Sequence, residues 1–357
     1  MRTLFTAAAV AALSLAAAGG AEAAGKVKAC WVYTGPVGDF GYSFQHDQGR
    51  LAAAKALGDK VDATTFLENI PDSDSERAIE QLARSGCAII FTTSFGFMDA
   101  TLKVAKKFPD VKFEHATGYK RAPNVSTYAA KFYEGRYVMG QIAGRMTKTN
   151  TIGHIASFPI PEVISGIDAY MRGLQTTNPN AKIKIIWVNS WFDPGKEADA
   201  AKALFAQGAD VLTHDTDSAA ALQEAEKAGK FVFGESSDTI NFGPKAQLTA
   251  NIANWGPYYT ARIQAVIDGT WKSEDTWDGV GEKMIVMAPF TNMPEEVKAT
   301  AQKTVADIAS GSTRPFACPV LDQQGHDQCK PGAKTLDDGA VLGMNWYVQG
   351  VEDKIPQ

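Results

Sequence analysis

The sequence predicts an α/β protein built from two doubly wound lobes with parallel sheets. Short runs of β-branched and aromatic residues alternate with amphipathic helical patterns, which is typical of βαβ units. After Thr149 the alternation begins a second time. A chain of 357 residues is also longer than one hydrophobic core usually accommodates. Two successive lobes are therefore expected.

The predicted strands and helices alternate along most of the chain. Strands are predicted at 27–33, 61–66, 88–93, 112–116 and 125–129, and then at 151–156, 182–188, 211–214 and 231–234. Helices are predicted at 44–57, 75–85, 97–108 and 133–147, and then at 161–176, 196–207 and 218–228. Each strand-helix-strand unit should follow the right-handed crossover rule.

The chain after residue 250 departs from this alternation. A helix is predicted at 257–268, a strand at 283–287 and a helix at 294–310. These elements are too few for a third domain, so we expect them to complete the two lobes, with the chain crossing between the lobes more than once. The expected lobes are 24–148 with about 250–282, and 149–249 with about 283–357.

The N-terminal segment predicts secretion. Arg2 precedes an apolar run from Leu4 to Ala18, and the small-residue triplet 21–23 follows. This pattern is typical of a signal peptide over 1–23, with cleavage near Ala23/Ala24. The apolar run is too short to span a bilayer comfortably. We therefore expect a periplasmic protein.

Four cysteines in an oxidising compartment invite pairing. Cys318 and Cys329 bracket a short polar loop, and we predict a disulfide between them. Cys30 and Cys87 each begin an apolar, strand-like run, and the favoured interpretation is a pair of buried thiols that act as small hydrophobic residues. A second disulfide between Cys30 and Cys87 is the less favoured alternative, because disulfide geometry is demanding.

Charge and spacing argue against several classes of function. The net charge is -5, and basic residues are scattered, so nucleic acid is not an expected partner. The five histidines are dispersed, and no CxxC or HExxH motif occurs. We therefore expect neither a metal nor a cofactor.

The first candidate binding loop follows the predicted strand 27–33. Ligands of open α/β sheets bind at the carboxyl ends of strands, and this loop offers Asp39, Tyr42 and Ser43 there. These residues supply a carboxylate, a stacking ring and a hydroxyl. The glycine spacing matches neither GxGxxG nor GxxxxGK[ST], so neither a dinucleotide nor a triphosphate is implied. The alternative interpretation is a capped helix N-terminus, with Tyr42 in a packing role.

Later strand ends repeat this combination of rings and carboxylates. Phe97 and Trp191 follow the strands 88–93 and 182–188, and Asp217 and Asp238 follow 211–214 and 231–234. Individually, acidic residues at strand ends are more often helix caps. Together with rings from both halves, they favour a cleft that binds a flat ring with hydrogen-bonding groups.

An enzymatic function is the competing class. The pairs Asp215 and Asp217, or Glu235 and Asp238, could serve a periplasmic hydrolase acting on nucleosides or sugars. No GxSxG elbow is present, and no Ser, His and Asp set is convincingly placed at strand ends. A binding protein is therefore the favoured interpretation.

The sequence resembles the basic membrane protein family of ABC-transporter substrate-binding proteins over nearly all of its length after the signal peptide. The motifs that carry the resemblance are 38–43 with Gly49, 108–113, 134–140 with 143–144, 178–179, 192–194 and 207–211. The resemblance implies a type I periplasmic binding protein fold with three segments crossing between the lobes. It also implies a small-molecule ligand, an ABC transporter permease in the inner membrane as partner, and no catalysis.

The resemblance also assigns binding roles by position. Asp39, Tyr42 and Ser43 match the family's Asp, stacking aromatic and Asn. Trp191 matches the second stacking aromatic, and Asp238 matches a ligand-contacting acid.

One departure from the family bears on the ligand. Nucleoside-binding relatives carry a Lys-Arg pair whose lysine contacts the ribose, whereas this chain has Ala253, Asn254 and Trp255 at that point. Asn254 and Trp255 are therefore candidate site residues that favour a purine base such as adenine. A purine nucleoside receptor of the same fold is the alternative.

Overall fold

The computed structural model describes residues 26–38 and 40–356, which form two α/β lobes. The predicted signal peptide at 1–23 and the candidate residue Asp39 lie outside the described residues. The predicted fold class is confirmed, because each lobe is built around its own six-stranded sheet.

Twelve strands form the two sheets within the described residues. In the first sheet the spatial order is β11-β5-β4-β3-β1-β2, and in the second it is β12-β10-β9-β8-β6-β7. The strands are β1 (Val27–Val32), β2 (Val61–Leu67), β3 (Ile89–Thr92), β4 (Lys112–Ala116), β5 (Val125–Ala130), β6 (Thr151–Ala156), β7 (Lys182–Trp187), β8 (Val211–His214), β9 (Phe231–Ser236), β10 (Gln247–Ala253), β11 (Asp275–Asp278) and β12 (Ile285–Met287).

Ten α-helices cover the sheets in the described part of the chain. They are α1 (Tyr42–Leu57), α2 (Ser75–Arg84), α3 (Met98–Lys107), α4 (Phe132–Met146), α5 (Pro161–Thr177), α6 (Pro194–Ala206), α7 (Ala220–Ala228), α8 (Trp255–Ile267), α9 (Glu295–Ala309) and α10 (Asp338–Leu342). Strands β10 and β11 and helix α10 were not predicted from the sequence.

Strand pairing is parallel throughout the first sheet. In the second sheet only β12 runs antiparallel to its neighbour β10. Parallel strands are buried on both faces, which explains why β3 is apolar almost throughout. Trp31 of β1 stacks on Phe91 of β3 with ring centroids 4.9 Å apart, at the centre of the first lobe.

The chain crosses between the sheets three times. The crossings lie between β5 and β6, between β10 and β11, and between β11 and β12. Our expected first lobe extended to residue 148, but α4 packs against α5, α9 and β10 of the second lobe. The first crossing therefore lies before α4. The expected return at residue 250 also differs, because β10 continues the second sheet to Ala253.

Helices α4 and α5 approach each other closely because glycine stands at their contact. A Cβ on Gly140 would lie 2.0 Å from the carbonyl oxygen of Tyr170, and a Cβ on Gly173 would lie 2.1 Å from that of Tyr137. Neither position can accept a side chain without moving a helix backbone. Helices α4 and α5 of the second lobe are therefore in direct backbone contact.

Both cysteine pairs form disulfides in the structure. The predicted Cys318–Cys329 bridge is present, with the Cα atoms 6.1 Å apart. Cys30 and Cys87, which we interpreted as buried thiols, are also bridged, with the Cα atoms 6.0 Å apart. The parallel pairing of β1 with β3 brings Cys87, just before β3, close to Cys30, and this is the reason the favoured interpretation fails.

No helix among the described residues is long and apolar enough to cross a membrane.

Candidate functional site

A cavity between the lobes collects the ends of strands from both sheets. We call it the central cavity, and its empty volume, including space open to solvent, is about 650 Å³. The first lobe contributes residues that follow β3, including Ser94 and Phe95. The second contributes Trp191 after β7, Asp215 after β8 and Glu235 in β9. This is the position at which open α/β sheets bind ligands.

The two lobes touch at the edge of this cavity. The Tyr42 N–H donates to Asp217 Oδ1 at 3.2 Å, and Gln45 Nε2 donates to the Ala253 carbonyl at 2.8 Å. The rings of Phe40 and Phe242 meet edge to face, with centroids 4.9 Å apart. These contacts hold the lobes in a closed arrangement.

Aromatic rings from both lobes line the central cavity. Tyr42 begins α1, and its ring packs edge-on against His46 with centroids 4.3 Å apart. The Tyr42 hydroxyl is buried and has no hydrogen-bond partner among the described residues. From the other lobe, Trp191 packs against Phe158 with centroids 5.2 Å apart, and its carbonyl accepts a 2.8 Å bond from the Asp217 N–H.

A buried ion pair forms one wall. Arg136 of α4 lies 2.9 Å from Glu235, and both side chains are less than a tenth exposed. The same guanidinium donates to Thr213 Oγ1 at 3.0 Å and to the His214 carbonyl at 2.6 Å. Burial raises the pKa of Glu235, while the charge of Arg136 opposes that rise. The Arg136 side chain is thus held by three contacts with β8 and β9 of the second lobe.

Asp215 is the centre of a second polar group. It accepts a 2.6 Å bond from Ser157 Oγ, and its other oxygen lies 2.8 Å from His154 Nε2. Burial alone would raise the pKa of Asp215, but its bond to His154 and the charge of Arg136 bring that pKa below its usual value. Burial lowers the pKa of His154, and Asp215 opposes that shift. Asp215 is therefore an ionised acceptor with both oxygens bound.

Glu162 also lines the central cavity, but its surroundings differ from those of Glu235 and Asp215. It lies in the first turn of α5, and its carboxyl has no hydrogen-bond or ion-pair partner among the described residues, whereas its main-chain carbonyl accepts a 3.0 Å bond from Ser165 Oγ. Burial raises the pKa of Glu162 to about 8, with the nearby Asp215 adding to the rise and Arg136 opposing it. At neutral pH this carboxyl is mostly protonated, so it can both donate and accept a hydrogen bond.

No group of three or more His, Cys, Asp or Glu side chains that could hold a metal ion occurs within residues 26–38 and 40–356.

Comparison with known proteins identifies the family. The family model described as ABC transporter substrate-binding protein PnrA-like, or Bmp, matches residues 26–312. The chain belongs to the Bmp family. A purine-binding protein of Brucella abortus is 57% identical over 95% of this chain and 97% of its own length. A putative ABC transporter glucose-binding protein of Haloferax volcanii is 35% identical over 95% of this chain and 83% of its own length.

Solved structures support the fold of this Bmp-family protein. An ABC transporter solute-binding protein from Aeropyrum pernix superposes with a TM-score of 0.71 at 16% identity, covering 82% of this chain and 94% of the other. One from Conexibacter woesei superposes with a TM-score of 0.63 at 22% identity, covering 81% and 98%. The relatives are solute-binding proteins, and the type I periplasmic binding protein fold is confirmed.

Three of the predicted site residues line the central cavity of this Bmp-family protein. They are Tyr42, Trp191 and Asp217. Ser43 is fully buried beside them, but its hydroxyl accepts a 3.0 Å bond from the Gly35 N–H and so supports the loop instead of facing the cavity.

Phe97 and Asp238 are not brought to the cavity. Phe97 lies at the end of a short 3₁₀ turn, Phe95–Phe97, and points into the core of the first lobe, so Phe95 lines the cavity in its place. Asp238 is exposed and accepts a 2.7 Å bond from Gln247 Nε2, which fixes the loop after β9.

Asn254 and Trp255 also lie away from the cavity lining. Asn254 precedes α8 and donates to the Lys283 carbonyl at 3.1 Å. Trp255 is 1% exposed and stacks on His46, with centroids 4.6 Å apart. Since His46 in turn contacts Tyr42, Trp255 supports the site from behind but fills no part of the cavity.

Sequence reasoning missed Arg136 and Glu162, and it did not include Glu235 among the predicted ligand-binding residues. Both missed residues lie on helices, whereas the search followed strand ends. A charged residue within the apolar run of α4 was an available signal, because an arginine there must find a partner when the helix is buried on most sides.

Proposed function

We propose that this chain is a periplasmic receptor that binds a purine base, such as adenine, in the central cavity and delivers it to an ABC importer in the inner membrane. The observation that carries the proposal is that one cavity combines aromatic rings from both lobes with the Tyr42 hydroxyl and the Glu162 carboxyl, for which the described residues supply no hydrogen-bond partner. The 57% identity to the Brucella purine-binding protein supports the same ligand class.

The aromatic rings of the cavity stack on the ligand, and its polar groups form hydrogen bonds with the ligand. Tyr42 and Trp191 pack on the ring from opposite lobes, so that binding and lobe closure stabilise each other. Glu162 supplies a neutral carboxyl whose O–H donates to a ring nitrogen and whose carbonyl accepts an exocyclic N–H. That donor and acceptor pair matches the N1 and N6 edge of adenine.

We expect the cavity to favour a base over a nucleoside. Arg136 is the only cationic side chain among the described residues that line the cavity, and Glu235 already pairs with it. Free ribose hydroxyls would therefore lose water without gaining a cationic donor.

The polar groups are arranged for binding and do not form a hydrolytic set. Ser157 and His154 both contact the carboxylate of Asp215, so the carboxylate lies between the hydroxyl and the imidazole. A serine activated for nucleophilic attack needs the imidazole beside its own hydroxyl. This arrangement supports a receptor without catalysis.

Thermal-shift measurements test the ligand class. Adenine, guanine, adenosine, uracil and glucose would each be added to the purified protein after partial unfolding and refolding to remove carried ligand. A true ligand at about 100 times its dissociation constant stabilises the folded state by about 2.7 kcal/mol. We expect adenine to give the largest shift. A larger shift with glucose, or conversion of adenosine to products, would overturn the proposal.

The cellular compartment of the protein is tested by a separate measurement. The predicted signal peptide supports export to the periplasm, and intact-mass analysis of the protein from a periplasmic extract should give a chain beginning at Ala24. Recovery of the unprocessed chain in the cytoplasmic fraction alone would contradict this location.

A further inference from the structure

A second cavity lies beside the central cavity. We call it the outer chamber, with an empty volume of about 830 Å³ including space open to solvent. Five residues line both spaces: Phe95, Thr117, Phe132, Ile160 and Glu162. The two spaces are therefore adjacent, with these five residues on the boundary that they share.

The outer chamber is walled largely by aromatic and aliphatic side chains. The rings of Tyr133 and Trp277 lie 5.8 Å apart, and Lys131 Nζ lies 5.2 Å from the Trp277 centroid on the ring face. Leu342 of α10 and Tyr119 border the chamber, with 49% and 69% of their surfaces exposed. Exposed apolar side chains gathered around a concave surface are typical of a binding site.

Helix α10 and strand β11 make this chamber possible. Both belong to the part of the chain after the last regular βαβ unit, and they contribute Leu342 and Trp277 to its walls. Neither element lines the central cavity. The chamber can therefore be altered without touching the walls around the purine ring.

We propose that the outer chamber is a binding subsite for an apolar or aromatic substituent on the ligand, so that the protein binds purines substituted on the exocyclic amino group. This inference rests on the proposed purine-binding function. Glu162 is the acidic residue on the boundary between the two sites, and its carboxyl has no hydrogen-bond or ion-pair partner among the described residues.

The position of Glu162 sets the direction of the substituent. A ring that bonds Glu162 through N1 and one amino N–H carries its substituent in place of the other amino hydrogen, and we infer that this second position faces the outer chamber. There the group leaves water and contacts Tyr133 and Trp277. A group on the opposite edge of the ring, where a nucleoside carries its ribose, points away from the outer chamber.

Calorimetric titration of adenine and N6-benzyladenine into the full-length mature protein tests this subsite. We expect N6-benzyladenine to bind at least as tightly as adenine. Trp277→Ala removes a wall ring, and Ala129→Leu fills space at a half-buried position that lines only the outer chamber. Each should weaken N6-benzyladenine by about tenfold while changing adenine affinity by less than about twofold, and the adenine titration is the internal control for folding.

The outcomes separate the two proposals. The unaltered protein could bind adenine but bind N6-benzyladenine about tenfold more weakly. This result would overturn the subsite and leave the proposed purine receptor unaffected. Tight binding of N6-benzyladenine that neither variant weakens selectively would also overturn the subsite, because the substituent would then lie elsewhere. Failure of both ligands to bind would overturn the proposed function itself, and the subsite with it.

Discussion

The main-chain N–H of Tyr42, in the first lobe, donates a 3.2 Å hydrogen bond to Oδ1 of Asp217, in the second lobe. The preceding residue, Gly41, lies against the same partner, since a Cβ there would be 2.4 Å from the Asp217 carbonyl oxygen. The backbones of the two lobes thus meet beside the cavity. We expect this protein to make that contact whenever its lobes close on the ligand.

Gly41→Ala should weaken adenine binding by about tenfold or more, because the added methyl must push the lobes apart. The matched control is Gly38→Ala in the same loop, where a Cβ meets nothing within 4 Å. Calorimetry should show near-normal affinity for the Gly38 variant. Equal affinities in the two variants would mean that closure does not depend on this contact.

Trp191→Ala should also weaken adenine binding by about tenfold, or about 1.4 kcal/mol, through loss of a stacking face. Trp191 lines the cavity, whereas Trp346, which is similarly half-buried, does not. Trp346→Ala is therefore the control for general loss of packing. If both variants are folded and both bind adenine normally, Trp191 does not contact the ligand.

Much of the fold could be predicted because most strands are buried on both faces and read as apolar runs. β10 was missed for a physical reason. Its residues Gln247, Thr249 and Asn251 are buried, and polar residues at these positions hide the strand pattern. Their partners are distant in sequence, as in the 2.8 Å bond from Thr249 Oγ1 to the Ala288 carbonyl. Such pairings exist only after the chain has folded.

The site was predicted less completely than the fold. The rule that ligands bind at strand ends found Tyr42, Trp191 and Asp217, because each follows a strand that the pattern revealed. It could not distinguish Phe95 from Phe97, since one short turn decides which ring faces the cavity. Residues on α4 and α5 reach the cavity only because the first crossing precedes α4, and the sequence pattern had assigned α4 to the other lobe.

The Cys30–Cys87 disulfide should stabilise the first lobe. It closes a loop with a sequence separation of 57, compared with 11 for Cys318–Cys329. In the chain-entropy model, loops of these lengths correspond to about 4 and about 3 kcal/mol. Urea unfolding of the Cys30→Ala/Cys87→Ala double variant should therefore show the larger loss, with the Cys318→Ala/Cys329→Ala variant as its comparison. The reverse order would show that native-state packing, and not loop closure, dominates.

Adenosine should bind at least about tenfold more weakly than adenine, a difference of about 1.4 kcal/mol. The reason is not the one that the sequence suggested, because Trp255 stacks behind Tyr42's neighbour His46 and occupies no cavity space. The reason is instead that Arg136 is already paired with Glu235. The described residues that line the cavity therefore offer ribose no free cationic donor. Side-by-side titration decides this, and equal affinities would make the protein a nucleoside receptor.

Glu162 should make adenine binding depend on pH. Its pKa is raised to about 8 by burial and by Asp215, against the opposing charge of Arg136. Below pH 7 the carboxyl is protonated and can donate to the ring. As pH rises through 8 the donor is lost, and affinity should fall by about tenfold for each further pH unit. Glu235 and Tyr42 also face this carboxyl, and Glu235 also has a raised pKa, so a variant must separate their contributions.

Glu162→Gln provides that separation. The amide keeps one donor and one acceptor on the same side-chain shape but does not titrate, so the variant should bind adenine nearly as well as the unaltered protein at pH 7 and hold that affinity to pH 9. Glu162→Ala should bind weakly at every pH, because both hydrogen bonds are gone. Calorimetry between pH 6 and pH 9 measures all three proteins in the same buffers. If the glutamine variant loses affinity at pH 7, the ligand is held by an ionised carboxylate, and its matching edge then carries two donors, as in guanine. If the variant instead falls with pH in parallel with the unaltered protein, the titrating group is another one, and Glu235 becomes the residue that controls binding.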